Sequence, residues 1–272
     1  IHSFGSAGTG GFSSKNLSVG AYDNAYFDVV IGIFMLLFGV NFNLYYFLLV
    51  RRFRDVFRSE ELWAYAAIVS AAVLAIAADI LHMYESFGQS LRYSFFQVAS
   101  IITTTGYATA DFNLWPTFSK GILVVLMFIG ANPGGTGGGI KTTTFFAVAM
   151  KAVSSTMNGD RDEVFYRKIP NVVFTQALTV FFYGLTVITI GTILILAFEG
   201  DLSLSAVLVE VTSAFATVGS TVGITPGLCP ASKIVLMICM FIGRLGPLTI
   251  ATVLAFKGKS EAHFTEESIM IG

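Results

Sequence analysis

The sequence predicts an all-α membrane protein made of repeated helix–pore-helix–filter–helix units around one ion path, and three observations carry that prediction. Of 272 residues, 54% are hydrophobic and only 12% charged, where a soluble domain has about 25% charged residues; the mean hydropathy is +0.74. Uncharged stretches long enough to cross a membrane alternate with apolar stretches that are too short. Three hydroxyl-and-glycine segments then recur: Thr9-Gly10-Gly11-Phe12-Ser13, Thr104-Thr105-Gly106-Tyr107-Ala108 and Thr217-Val218-Gly219-Ser220-Thr221. Gly11 and Gly106 lie 95 residues apart, Gly106 and Gly219 113 apart. A spaced repeat of this kind means one structural unit used several times.

Taken in order, residues 29–50 are 22 uncharged residues, enough to cross about 30 Å of hydrocarbon at about 1.5 Å per residue. Arg51, Arg52, Arg54 and Arg58 follow. Residues 62–78 form a second uncharged run, stopped by Asp79. Residues 90–103 are too short to span and lead straight into the second hydroxyl-glycine segment, as a re-entrant pore helix would. An apolar helix over 121–130 is broken by Asn132-Pro133-Gly134-Gly135-Thr136-Gly137-Gly138-Gly139, since Pro and clustered Gly interrupt a helix. Helix resumes over 145–153. Residues 169–198 are 30 uncharged residues and the clearest span. Residues 203–216 are again short and run into Thr217, and residues 234–256 are a last span holding Arg244. The expected units are 1–58 (a filter and the span after it), 59–160 (with a broken second helix) and 161–272 (with a C-terminal tail). The basic loops at 51–58 and at Lys151, Arg161, Arg167 and Lys168, with Lys257 and Lys259, fall on one side, which the positive-inside rule makes cytoplasmic. Glu199 and Asp201 then face outward, either gathering cations at a pore mouth or forming an ordinary solvated turn.

Non-helical backbone at membrane depth must be satisfied by protein, water or an ion. Glycine lets carbonyls turn toward an axis, and such carbonyls replace the water shell of a potassium ion. The expected filter is therefore Thr9, Gly10, Gly11, Thr104, Thr105, Gly106, Tyr107, Thr217, Val218 and Gly219, with potassium as the ion held and no organic cofactor. The C-terminal end of each pore helix adds about half a negative charge. For any one glycine, close helix packing is the competing account.

The three segments, the run from Asn132 to Lys141 and Gly243-Arg244-Leu245-Gly246-Pro247-Leu248-Thr249 together resemble the Trk/Ktr/HKT superfamily of potassium transporters, in particular its bacterial TrkH/KtrB-type membrane subunits. The resemblance implies four helix–pore–helix repeats in pseudo-fourfold order, of which this chain would hold the end of the second and all of the third and fourth. The absence of an initiator Met agrees with that expectation. It also implies potassium uptake across the cell inner membrane, a homodimer in lipid, and a cytoplasmic ring of RCK-type nucleotide-binding subunits (TrkA- or KtrA-like). No nucleic-acid partner is implied. A serine-for-glycine exchange in the first filter favours sodium in related plant transporters, so a sodium-permeable or sodium-coupled relative of the same fold is the alternative.

Two basic residues sit inside apolar stretches, Lys141 and Arg244, where a charge costs about 2.5–3.5 kcal/mol on insertion scales. As a gate, Gly134, Gly135, Gly137, Gly138 and Gly139 with Lys141 and Arg244 would obstruct the path below the filter, as the resemblance also implies. As structure, Lys141 would cap carbonyls or snorkel, and Arg244 would pair with an acid such as Glu210. Glu210, seven residues before Thr217, would otherwise anchor the filter.

Residues 134–142 also approach the P-loop pattern of an ATPase, but Ile140 separates the last glycine from Lys141 and the preceding segment is helical in character. The sequence is thus read as non-enzymatic. A tetrameric channel subunit is disfavoured because one chain carries several unequal filters. Cys229 and Cys239 make no disulfide framework or metal spacing, and His2, His82 and His263 are scattered.

Overall fold

The computed structural model describes residues 1–158, 163–164, 167–168 and 170–246, with backbone alone for 154–158, 163–164, 167–168 and 171. The expectations at Arg161, Lys257, Lys259 and His263, the second half of the last span, Pro247, Leu248 and Thr249, and the tail at 264–272 lie outside the described residues.

A short helix α1 (His2–Ala7) precedes the first hydroxyl-glycine segment. The next helix is α2 (Ala25–Phe38), started by the Asn24 side chain, which accepts from the Tyr26 amide at 2.9 Å. The single span expected over 29–50 is not continuous: α2 is followed by α3 (Phe42–Leu49) at an angle of 92°. Hydropathy misses this break because both halves are apolar. The cause is local: α2 ends at Phe38 with Gly39 as its C-cap, and Asn41 caps the next helix, accepting from the Asn43 amide at 3.0 Å. After α4 (Phe53–Phe57), the long α5 (Glu60–Asp79) starts on Ser59. Pore helix α6 (Phe87–Ile102) follows, started by Ser86.

Helix α7 (Thr117–Ile129) and helix α8 (Thr142–Asn158) flank the glycine-rich break. A two-residue antiparallel ladder, β1 (Glu163–Val164) with β2 (Arg167–Lys168), is the one departure from helix among the described elements. The fourth group is α9 (Asn171–Phe198), pore helix α10 (Leu204–Phe215) and α11 (Pro230–Leu245). Helix α11 ends at Leu245, with Arg244 in its last turn and Gly246 at φ 84°. Cations are favoured at that end of a helix.

Helix α6 packs against both α5 and α2, α10 packs against α9 and α11, and α7 bridges to α10. Large apolar side chains of α2, α9 and α11 face outward, among them Phe34, Ile193 and Phe241. Polar side chains such as Ser94, Ser100, Asn132, Glu210 and Ser213 are buried inside. That inversion suits a hydrocarbon solvent. Helix α5 and residues Val172–Phe198 of α9 are long and apolar enough to cross a membrane, and the bent α2–α3 pair makes a third.

Charged groups pin these helices. Asp28 on α2 is buried and takes the Arg92 Nε of α6 at 2.6 Å. Asp79 at the end of α5 accepts from the Ser119 hydroxyl at 2.6 Å and its amide at 3.2 Å, in the first turn of α7. Glu199 after α9 does the same for α11, accepting from the Cys229 amide at 2.6 Å; those hydrogen bonds hold its carboxyl below the usual range. Removing one partner of a buried ion pair leaves the other uncompensated. Arg92→Ala in the full-length protein is therefore expected to cost about 3 kcal/mol, read as a fall in the detergent melting temperature. Asp28→Leu combined with Arg92→Met should recover most of it; no change in the single variant would remove this pair from the account.

Candidate functional site

The three hydroxyl-glycine segments share one backbone course. Thr9, Thr104 and Thr217 have φ of 48°, 56° and 56°, and Gly11, Gly106 and Gly219 have φ of 64°, 83° and 81°. In each, the threonine amide donates to a carbonyl three residues back, in the last turn of the pore helix: Thr9 to Ser6, Thr104 to Ile101 and Thr217 to Ala214. The next amide reaches five back: Gly10 to Gly5, Thr105 to Ser100 and Val218 to Ser213, at 2.8–2.9 Å. This turn uses up the helix-end carbonyls and reverses the chain in two residues. The threonine in each pays a left-handed conformation that a non-glycine residue adopts only under constraint.

The segments interlock. A Cβ on Gly11 would lie 2.0 Å from the Thr105 carbonyl oxygen, and one on Gly106 2.1 Å from that of Val218. Each glycine thus admits the carbonyl of the next segment. At Gly219 no heavy atom among the described residues lies within 4 Å of that position. Thr9, Thr104, Thr105 and Val218 are buried, and Tyr107 is fully enclosed.

A second set of contacts lies at these segments; sequence reading expected the one at Glu210 and missed those at His2 and Gln97. At the offsets of 95 and 113, His2, Gln97 and Glu210 occupy one pore-helix position. His2 Nε2 lies 3.0 Å from the Ser13 hydroxyl. Gln97 Nε2 donates to the Ala110 carbonyl at 3.2 Å. The Glu210 carboxylate accepts from the Thr221 hydroxyl at 2.5 Å, from the Val222 amide at 3.1 Å and from the Thr225 hydroxyl. Glu210 is occupied in this way and does not pair with Arg244. Laying the repeats over one another at those offsets was the signal that would have found this set.

The glycine-rich run at 130–141 lies against the first residues of the three segments, Thr9, Thr104 and Thr217. The Thr9 hydroxyl donates to the Thr136 carbonyl at 3.1 Å, and the Gly138 amide donates to the Thr104 hydroxyl at 2.7 Å. A Cβ on Gly138 would lie 2.3 Å from Thr217 Oγ1 and 2.4 Å from the Ala216 carbonyl oxygen. Thr217 Oγ1 itself is buried without a hydrogen-bond partner among the described residues. On its other side the run docks on the α2–α3 break. The Asn132 amide donates to the Gly39 carbonyl at 3.2 Å, and the Phe42 amide to the Gly134 carbonyl at 3.1 Å. Its ends are joined by the Thr142 hydroxyl donating to Asn132 Oδ1.

Lys141 has φ 79°, and its ammonium donates to the Gly137 carbonyl within the run. Arg244 is close enough to repel it electrostatically. Arg244 makes no ion pair among the described residues, its side chain is exposed, and Gly243 beside it lets α11 press on the Phe215 carbonyl at the end of α10. Gly134, Gly135 and Gly139 shape the rest of the run; Gly135 would place a Cβ 3.1 Å from three carbonyl oxygens of the α2–α3 break. No group of three or more metal-ligating side chains occurs among the described residues.

Residues 61–265 match the TrkH family, described as cation transport protein. The chain is 34% identical over 66% of its length to a Ktr system potassium uptake protein B of Vibrio alginolyticus, covering 39% of that protein. It is 34% identical over 74% of its length to a Ktr system potassium uptake protein D of Bacillus subtilis, covering 44%. With the Trk system potassium uptake protein TrkH of Escherichia coli it shares 28% identity over 92% of its length and 54% of that protein. The fold matches the crystal structure of the potassium transporter TrkH from Vibrio parahaemolyticus, with TM-score 0.79 and 22% identity, over 94% of this chain and 57% of that one. The chain thus spans about half the length of the relatives it matches. The repeated pore-helix segments, the helical fold and the match over residues 61–265 place this chain in the TrkH family of cation transport proteins, as an integral membrane protein and not an enzyme.

Proposed function

We propose that this chain supplies part of a potassium uptake path across the cytoplasmic membrane, with a carbonyl-lined filter closed on its inner side by the glycine-rich run. The observation that carries this reading is the interlocked backbone: three segments of one conformation, with Gly11 and Gly106 each set against the next segment's carbonyl. On this reading Thr9, Gly10, Gly11, Thr104, Thr105, Gly106, Tyr107, Thr217, Val218 and Gly219 present oxygens to a partly dehydrated cation. The orphaned Thr217 hydroxyl supports it, as a buried oxygen for which an ion is a natural partner. The relatives' names, which specify potassium uptake, point the same way.

Gly134, Gly135, Gly137, Gly138, Gly139 and Lys141 form the gate, and Arg244 adds a charge below the filter. The run's hydrogen bonds with Thr9 and Thr104 support this reading, since they hold it against two of the expected filter residues. Few apolar contacts hold such a segment, which lets it open at low cost. Lys141 both ties the run together through Gly137 and brings a positive charge under the filter. The units at 1–58, 59–160 and 161–272 are the repeats that carry these parts. The functional assembly is a homodimer in lipid with an RCK-type regulatory ring (TrkA- or KtrA-like) on the basic side. The relatives' names as "system" proteins support a partner, and Arg51, Arg52, Arg54 and Arg58 are a surface for it. A second reading, sodium permeation or coupling, is favoured by one relative, a potassium/sodium uptake protein NtpJ of Enterococcus hirae, 33% identical over 69% of this chain and covering 43% of that protein.

Selectivity tests the filter. In the full-length protein, Gly106→Ser or Gly219→Ser should lower potassium-over-sodium preference about tenfold, or about 1.4 kcal/mol. The measurement is growth rescue of a potassium-uptake-deficient strain over a potassium series with and without sodium. Wild-type preference in both variants would reduce these glycines to helix packing.

Flux tests the gate. A unit charge about 8 Å from a cation in a medium of effective dielectric about 20 raises its energy by about 2 kcal/mol. Arg244→Gln, or deletion of 134–139, should therefore raise tracer flux in liposomes on the order of tenfold and leave the ion preference unchanged. Unchanged flux from normally folded protein would put the gate elsewhere.

A further inference from the structure

We propose that the Tyr107 hydroxyl positions the first filter segment, standing in for a serine that the other two repeats carry and the first lacks; the proposal rests on the filter reading above. The repeat offsets place Gly5, Ser100 and Ser213 at one position and Phe12, Tyr107 and Ser220 at another. In the second segment the Ser100 hydroxyl donates to the Tyr107 carbonyl at 2.6 Å. In the third the Ser213 hydroxyl donates to the Ser220 carbonyl, also at 2.6 Å. The pore-helix serine thus holds the peptide that follows the filter glycine, from behind. In the first segment the equivalent residue is Gly5, which has no side chain to do this.

The space left by Gly5 is filled from the next repeat. Tyr107 Oη lies 3.2 Å from the Phe12 carbonyl oxygen, the atom equivalent to the two that the serines bind. It also lies 3.3 Å from the His2 carbonyl oxygen, so one proton is shared between two acceptors. Tyr107 is fully buried, and a buried hydroxyl needs such a partner. The His2 ring packs on it at 5.4 Å between centroids. A Cβ at position 5 would lie 2.0 Å from Tyr107 Oη. A serine at 5 and a tyrosine at 107 therefore exclude one another, while either alone supplies a hydroxyl to the Phe12 carbonyl. A Cβ at Gly5 would stand 3.6 Å from that carbonyl oxygen, within reach of a serine Oγ. The consequence is that the peptide after the first filter glycine is held by the tyrosine of the second segment and not by its own pore helix, so the two segments cannot shift independently.

The test uses the full-length protein reconstituted in liposomes, with potassium and sodium flux measured in parallel, and melting temperatures of the same proteins in detergent. Tyr107→Phe keeps the ring and removes the hydroxyl; it should lower potassium-over-sodium preference about fivefold and lower the melting temperature. Gly5→Ser alone should do at least as much harm through the clash. In the Tyr107→Leu background, where room is made, Gly5→Ser should reverse sign and restore preference and melting temperature toward wild type. Wild-type behaviour of Tyr107→Phe, or a Gly5→Ser change that is no better in the Tyr107→Leu background than in the parent, would overturn the proposal. If the unmodified full-length protein carried no potassium, the transport reading would fail, and the melting temperatures of the same variants would still decide whether Tyr107 replaces the serine.

Discussion

A backbone carbonyl or amide that leaves a helix inside a bilayer must find another partner, because the hydrocarbon offers none. The rest of this structure follows from how that demand is met at four places: three filter turns and one glycine-rich run. The turns fold the amides back onto helix-end carbonyls, three and five residues earlier. The run bonds back to α7 through the Ile140 amide, which donates to the Phe128 carbonyl at 3.3 Å. It also takes partners from the α2–α3 break on one side and from the Thr9 and Thr104 hydroxyls on the other. Two irregular segments, each costly alone, satisfy one another. On the proposed reading that is also what makes the run a gate: an ion and its water would take over the contacts that the run gives up.

Charge and packing are arranged around the same demand. Each outer helix that ends in an acid spends it on the first turn of a neighbour, Asp79 on α7 and Glu199 on α11. Glu210 holds the chain at Thr221 and Val222, at the end of the third hydroxyl-glycine segment. Arg92 answers Asp28, which ties the second pore helix to the helix that follows the first segment. The positive groups left near the run are Lys141, held to the Gly137 carbonyl, and Arg244, with no ion pair among the described residues. On the proposed reading, carbonyl oxygens would line the path and these two cations would control passage of a cation.

Much of this was legible in the sequence, for identifiable reasons. The pore helices expected over 90–103 and 203–216 occur as Phe87–Ile102 and Leu204–Phe215, because a short apolar run that ends in hydroxyl and glycine residues has few other uses in a membrane. The break after Ile129 was legible in its glycines. The 92° bend at Gly39, Val40 and Asn41 was not, since hydropathy records polarity and not chain direction. The equivalence of His2, Gln97 and Glu210 is invisible to any search for identical residues, as a histidine, an amide and an acid perform one hydrogen-bonding task. The contact of Tyr107 with Gly5 could be found only after the repeats were placed side by side in space.

The most direct test of the account is a crystal structure of the full-length protein soaked in thallium, a heavy monovalent cation close to potassium in size, read by its anomalous scattering. The account predicts peaks on one axis, bounded by carbonyl oxygens of the residues at 9–11, 104–106 and 217–219, and none in the space that the run at 134–139 occupies while it stays hydrogen-bonded to Thr9 and Thr104. Peaks confined to the protein surface, or those three segments turned toward lipid with no ion between them, would contradict it.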